Sequence, residues 1–323
     1  MKILLTGAAG FIGHHVAKRL LKRGDTVVGI DNFNNYYAPQ WKFENSIQFD
    51  HYGNGQMLAL DLRDYDKVSQ LMIRHRFDAV IHLAAMAGVR PSVLHPGLYM
   101  QVNLTASQNL IELSRLHGVN NFVFASTSSV YGHTKRIPFD ENDACELLLH
   151  PYAASKRAVE QIGFTYHRNY GINFTALRLF TVYGPAGRPD MMPYLLASSI
   201  ATGKPVPRFR GNFQRDWTYV DDIANGIVSA VDKQLGFEII NLGRGEPVSL
   251  DQFIGSLQTV ADGHAHLKVV AAPSTEMLVT FASNEKARSL LNFNPEVSVN
   301  QGVKLFWQWF ATHRAKTLVE QAA

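Results

Sequence analysis

Leu5-Thr6-Gly7-Ala8-Ala9-Gly10-Phe11-Ile12-Gly13 decides the fold. Its three glycines recur every third residue, between an apolar run, Ile3-Leu4-Leu5, and a stretch with helical periodicity over 12–23. Each glycine has its own physical reason. One permits a tight turn, one lets the backbone approach a pyrophosphate, and one lets helix and strand pack closely. The helix start then offers free N–H groups to phosphate oxygens. Gly7, Ala9, Gly10, Phe11, Ile12 and Gly13 are therefore the expected cradle of a dinucleotide.

Working outward, a second strand at 26–30 runs into Asp31, 18 residues after Gly13. A carboxylate there accepts hydrogen bonds from the adenosine ribose and repels a 2′-phosphate, which favours NAD over NADP. Asn32 lies beside it. Asp61 and Leu62 follow a strand at 57–60 and face the adenine side. Leu83, Ala84 and Ala85 end a strand at 79–83, where small residues let the nicotinamide half lie close. His82 reads as a packed residue and not as a catalyst. Further strands at 121–125 and 174–179 alternate with helices at 66–75, 100–117 and 150–170. This βαβ rhythm predicts a doubly wound, Rossmann-like parallel sheet covered on both faces. The stretch from Asp31 to about Gly55 reads as a loop.

Beyond residue 180 the rhythm loosens and glycine and proline become frequent. Helices are expected at 191–202, 220–233, 250–261, 284–291 and 299–318, with strands at 206–209, 238–242 and 267–271. The expected division is a cofactor domain over 1–180 and a smaller mixed α/β substrate domain over 181–323, interleaved through segments near 215–245.

A chain of 323 residues, 46% hydrophobic, is long enough for such a core and a second domain. The net charge is only +4 and the basic residues are scattered, which suits a small anionic ligand and argues against nucleic acid. The single cysteine, Cys145, excludes an intramolecular disulfide and a cysteine-rich zinc site; the histidines form no HExxH pattern, so no metal is expected. No apolar run is long enough to cross a bilayer, and the chain enters a strand at once, so no membrane contact and a cytoplasmic location are expected.

Tyr152-Ala153-Ala154-Ser155-Lys156 is the second decisive stretch. Tyrosine and lysine four residues apart share one face at a helix start. A phenol of ordinary pKa near 10 is a poor base at neutral pH. A neighbouring ammonium and a positive nicotinamide ring favour its phenolate, and the lysine can also hold the nicotinamide ribose. Ser126-Thr127-Ser128-Ser129 closes the fifth strand, where hydroxyls can bond a substrate alcohol and relay its proton.

The TGxxGFIG turn at 6–13, the hydroxyl run ending in Val130-Tyr131-Gly132, and YxxxK at 152–156 resemble the extended short-chain dehydrogenase/reductases. Over nearly the whole chain the resemblance is to the NAD-dependent nucleotide-sugar epimerase/dehydratase family. Within it the chain is most similar to UDP-glucuronate 4-epimerases, through Ala87–Ser92, LRLFTVYGPAGRPDM (177–191) and RDWTYVDDI (215–223). The resemblance implies 4-epimerisation of a UDP-sugar, foremost UDP-glucuronate to UDP-galacturonate, by transient C4 oxidation with bound NAD. It makes Tyr152 the base, Thr127 its hydroxyl partner and Lys156 the cofactor anchor. Phe180 lies behind the nicotinamide and Asn103 at the base of the pocket. Gly88, Val89, Arg90, Ser126, Ser128, Thr181 and Arg188 surround the sugar and its carboxylate, and Arg215 grips the diphosphate. A homodimer through helices 100–117 and 150–170 is implied too. Neutral UDP-sugars (UDP-glucose or UDP-N-acetylglucosamine), decarboxylation of UDP-glucuronate, and a non-catalytic NAD-sensing protein are the competing expectations. A dehydratase is disfavoured, because Ser128 and Ser129 stand where such enzymes carry Asp-Glu.

Overall fold

The computed structural model describes residues 1–322. Seven parallel strands form the central sheet: β1 (Lys2–Thr6), β2 (Thr26–Asp31), β3 (Gly55–Ala59), β4 (Ala79–His82), β5 (Asn121–Thr127), β6 (Asn173–Leu179) and, far along the chain, Phe237–Leu242. Between the last two in sequence come β7 (Thr181–Tyr183), β8 (Val206–Phe209) and β9 (Gln214–Tyr219), so the late strand is β10. The order across the sheet is β10-β6-β5-β4-β1-β2-β3. Winding therefore reverses between β1 and β4, and a crevice opens there beyond the carboxyl ends of the strands.

Residue alternation sends the two faces into separate cores. Ile3, Leu5, Val123 and Ala125 pack with Val16 and Leu20 of the helix Phe11–Arg23 and with Ile223 and Ile227 of the helix Val220–Val231. Leu4, Phe122 and Phe124 pack with Leu71, Leu110, Ile111 and Val159 from helices Tyr65–His75, Ala106–Leu116 and Pro151–Tyr170. This is the period of two that strands impose, and it covers both faces of the sheet as the βαβ pattern requires.

The remaining strands, with β11 (Pro247–Ser249) and β12 (Leu267–Val270), make two small sheets, β11-β9-β7 and β12-β8. An aromatic-rich core of Tyr183, Trp217, Tyr219, Phe253, Phe306 and Phe310 sits beside them. Three of these strands, β7, β9 and β11, escape the sequence reading; they are short and carry no clean alternation.

The stretch read as a loop between Asp31 and Gly55 instead holds helices Pro39–Ser46 and Gln48–His51. Pro39 presets the first turn. What holds the segment lies far away in sequence: Trp41 meets the ring of Tyr194 at 5.1 Å and the guanidinium of Arg314 at 4.5 Å, and Phe49 is buried. The expected helix 100–117 starts earlier, at Pro96, and passes through a wide π turn at Met100–Thr105 before Ala106.

Candidate active site

A cleft of about 370 Å³ runs along the crevice, within the size of ligand-binding cavities. Its phosphate end is made of backbone. Gly7 has φ of +68°, and a Cβ there would fall 2.8 Å from the amide nitrogen of Ala84. A Cβ on Gly13 would fall 2.0 Å from the Gly7 carbonyl oxygen. The helix Phe11–Arg23 begins after Gly10 with no side chain capping it, so its first N–H groups face the cleft free. Thr6 fixes the neighbouring strand end. Its hydroxyl oxygen accepts from the Ala84 amide at 3.1 Å and lies 2.7 Å from His82 Nδ1. His82 Nε2 in turn meets Ser107 Oγ at 2.8 Å. Burial pushes the imidazole down to about 3, which suits a neutral structural residue.

Gly7, Gly10, Phe11, Ile12, Gly13, Asp31, Asn32, Asp61, Leu62, Leu83, Ala84, Ala85 and Phe180 all line the cleft. Asp31 closes β2. Burial raises its carboxyl, while amide hydrogen bonds from Phe33 and Ala9 and the charge of Lys42 oppose that rise. Asp61 is held well below the usual carboxylate range by Arg63 and accepts from Asn32 Nδ2 at 3.0 Å. Ala9 does not line the cleft; its amide serves Asp31 and its carbonyl accepts from Asn45 Nδ2. Asn103 is likewise withdrawn: fully buried, it exchanges two hydrogen bonds with the Met86 backbone (2.8 and 2.9 Å) and donates to Ser155. It shapes the 86–88 turn from behind.

The reacting end gathers Ser126, Thr127, Ser128, Tyr152, Lys156, Thr181, Arg188 and Gly88 around one space. Tyr152 and Lys156 lie one turn apart on the helix Pro151–Tyr170, whose start is capped by His150, with Nδ1 accepting from the Ala153 amide. Burial raises the Tyr152 phenol, and the neighbouring Thr127 hydroxyl and the charge of Arg188 press it back down. Lys156 points across to β5, donating to the Ala125 carbonyl at 2.8 Å and lying 4.6 Å from the centre of the Phe124 ring. Burial lowers it to about 7.

Arg188 is already engaged. Its Nε and Nη2 donate to the two oxygens of Asp190 at 3.0 and 2.9 Å. The Tyr36 hydroxyl donates to the same carboxylate at 3.0 Å. Tyr36, Tyr37 and Lys42 also line the cleft, and sequence reasoning missed all three. A tyrosine pair ahead of a proline-started helix was the available signal, masked by the polar residues around it. Val89, Arg90 and Arg215 do not line the cleft. Arg90 stacks on Phe209, 4.7 Å from its ring centre. Arg215 pairs with Glu276 and donates to the Gln214 and Leu278 carbonyls. Among the described residues no cluster of three or more His, Cys, Asp or Glu could hold a metal, and no helix is long and apolar enough to cross a membrane.

A parallel sheet wound in this order, a glycine cradle that admits no Cβ, an acid closing β2 and a Tyr–Lys turn facing a hydroxyl strand end define a dinucleotide-dependent enzyme. The profile of the NAD dependent epimerase/dehydratase family matches residues 3–243, and the chain belongs to that family. A UDP-glucuronate 4-epimerase from Thermodesulfobacterium geofontis is 40% identical over 95% of either chain. Among solved structures, the UDP-glucuronic acid 4-epimerase of Bacillus cereus, in complex with UDP-glucuronic acid and NAD, is 34% identical, covers 97% of this chain and 99% of its own, and superposes with a TM-score of 0.90. A UDP-glucose 4-epimerase from Thermotoga maritima, with UDP-glucose, is 29% identical over 97% and 99% of the two chains, with a TM-score of 0.88. NAD is the cofactor, and the cleft fits it: the cradle has no room for side chains, the amides are uncapped, and the Asp31 carboxylate lines the cleft at the end of β2.

Proposed function

We propose that the chain interconverts UDP-glucuronate and UDP-galacturonate, changing configuration at C4 of the sugar. The observation that carries this reading is the convergence of Tyr152, Thr127 and Arg188 on one end of the NAD cleft. Bound NAD supplies the oxidation at C4 and its reversal. Tyr152 takes the proton of the 4-hydroxyl and later returns it. Thr127, at the end of β5 in the same part of the cleft, orients that proton. Lys156 holds the cofactor ribose. Gly7–Gly13 and Asp31 keep the dinucleotide in place through the cycle.

A 4-keto uronate carries its ketone β to the carboxylate, so loss of carbon dioxide becomes easy. The protein must therefore fix the carboxylate in an unfavourable orientation for that loss. Ser128, Thr181 and the free edge of Arg188 are the donors available at this end of the cleft. Charge-assisted donors of this kind hold an anion better than neutral ones.

One observation favours a second reading. Arg188 already has a carboxylate partner in Asp190, so the sugar end is nearly charge-balanced before substrate arrives. A neutral C6 hydroxymethyl group, as in UDP-glucose, leaves that balance undisturbed.

A homodimer in the cytoplasm completes the proposal. Leu110 and Leu113 are buried in their own subunit, whereas Leu116, Phe164 and Tyr170 on the same side of the sheet are exposed. They give helices Ala106–Leu116 and Pro151–Tyr170 an apolar outer surface for a second copy.

Incubation of the purified protein with UDP-glucuronate, followed by chromatographic separation, tests the proposal. UDP-galacturonate supports it. A UDP-pentose points to decarboxylation instead. No product from UDP-glucuronate, with turnover of UDP-glucose, moves the assignment to the second reading.

A further inference from the structure

Glu160 is a fully buried carboxylate beside the reacting pair whose position the chemistry above leaves unexplained. It lies on the same helix face as Tyr152 and Lys156, one turn beyond the lysine, and has no solvent exposure. Four hydrogen bonds converge on it. Ser126 Oγ donates to Oε1 at 2.5 Å, and Arg178 Nε to the same oxygen at 3.0 Å. Arg178 Nη2 and Arg157 Nη1 each donate to Oε2 at 2.9 Å. Arg178 on β6 is itself fully buried and lies 4.7 Å from the centre of the Tyr131 ring; its Nη1 has no partner.

A buried ion pair of this kind is weak evidence for stability, because desolvation offsets much of the attraction. Its placement is more informative. Lys156 binds the Ala125 carbonyl and Glu160 binds the Ser126 hydroxyl. Two consecutive residues of β5 are thereby fastened to consecutive turns of the catalytic helix, immediately before Thr127. The groups facing Lys156 are Glu160 on its own helix, Phe124 and the Ala125 carbonyl on β5, and His82 on β4, which is neutral. Of these, Glu160 alone carries a charge that favours the ammonium. The groups facing Glu160 are Ser126, Arg157 and Arg178, with Tyr131 and Cys145 packed around Arg178.

We propose that Glu160 is a positioning residue: bound to Ser126 beside the lysine's own anchor on Ala125, it holds the end of β5 against the catalytic helix and so sets where Lys156 and Thr127 stand relative to Tyr152. The inference rests on the reading of Tyr152 and Lys156 as the reacting pair. Its test does not depend on turnover. In the NAD-loaded protein carrying 13C-labelled lysine, the Lys156 side-chain resonance is titrated by NMR, with Lys156→Arg identifying the signal.

Glu160→Gln keeps the shape and removes the charge. Its expected effect is a fall of about one unit in the Lys156 titration point, with the alkaline limb of kcat moving the same way and KM for the nucleotide-sugar changing less than about twofold. Glu160→Asp, which restores the charge, returns the titration point towards the parent. If Glu160→Gln alone does not fold, the pair Glu160→Gln with Arg178→Gln takes its place and is read against Arg178→Gln, so that the effect of the lost cation cancels. A Lys156 titration point within about 0.3 unit of the matching reference overturns the proposal. Failure of the reaction assignment shows separately, as undiminished turnover in Tyr152→Phe.

Discussion

Replacing Gly13 by alanine separates local helix preference from the demands of the cradle, because the two predict opposite signs. Gly13 lies in the third position of the helix Phe11–Arg23. By propensity alone, alanine stabilises a helix interior by about 1 kcal/mol. In this fold its Cβ falls 2.0 Å from the Gly7 carbonyl oxygen and 2.8 Å from the Gly7 carbonyl carbon. Ordinary non-bonded contact is about 3.5 Å, so turn and helix must part by more than about 1 Å. Both offending atoms are backbone, and Gly7 is tied by hydrogen bonds from its amide to Ile30 O (2.8 Å) and from the Gly10 amide to its own carbonyl (3.0 Å). Overpacking costs about 1–3 kcal/mol, and a rigid site belongs at the upper end. The net expectation is a loss of about 2 kcal/mol. For a chain of 323 residues the unfolding entropy is about 0.7 kcal/mol/K, giving a fall in Tm of about 3 °C. The same displacement opens the phosphate cradle, so NAD content after gel filtration, read from the ratio of absorbance at cofactor and protein wavelengths, should fall severalfold. An unchanged or higher Tm with full NAD content would show that the cradle tolerates a methyl group at this position.

Other expectations follow from particular groups. Arg178→Ala leaves Glu160 with its main partner gone in a dry site and should cost about 3–5 kcal/mol, read as the midpoint of urea unfolding; a loss under about 1 kcal/mol contradicts the account. His82 and His14 are held neutral by burial, at about 3 and about 4 against an ordinary 6.5. Below pH 6.5 these two imidazoles bind more protons in the unfolded chain than in the folded one, so their contribution to stability is level above that value and declines as pH falls from 6.5 towards 4. Equal urea midpoints at pH 7.5 and 5.0 would contradict this. Phe164→Glu places a charge on the exposed apolar surface of the helix Pro151–Tyr170 and should convert dimers to monomers in analytical ultracentrifugation; an undisturbed dimer would place the interface elsewhere.

What the sequence disclosed was local. The glycine turn, Asp31 at a strand end and YxxxK at a helix start are fixed spacings along one segment, and residues of each line the cleft. What it withheld depends on residues far apart in the chain. Tyr36 is held at the site by Asp190, 154 residues on, and the helix carrying Lys42 is clasped by Arg314, 270 residues beyond Glu44. Arg215 is diverted by Glu276, 61 residues on. The late strand β10 completes the first sheet because it pairs with β6 from Phe237–Phe174 to Leu242–Leu179, a register that no local pattern encodes. Arg188 is a further cation that the fold brings near the Tyr152 phenol from outside the YxxxK segment, while Lys156 is anchored on β5.

Epimerisation turns on the proton transferred by Tyr152, and Tyr152→Phe measures that transfer. The substitution removes one hydroxyl and leaves the glycine cradle, Asp31 and Lys156 in place. With UDP-glucuronate as substrate, kcat should fall by at least about 100-fold, the lower range for a lost acid–base group, while the NAD content of the purified protein stays that of the parent. Turnover within about twofold of the parent, with NAD still bound, would contradict the account.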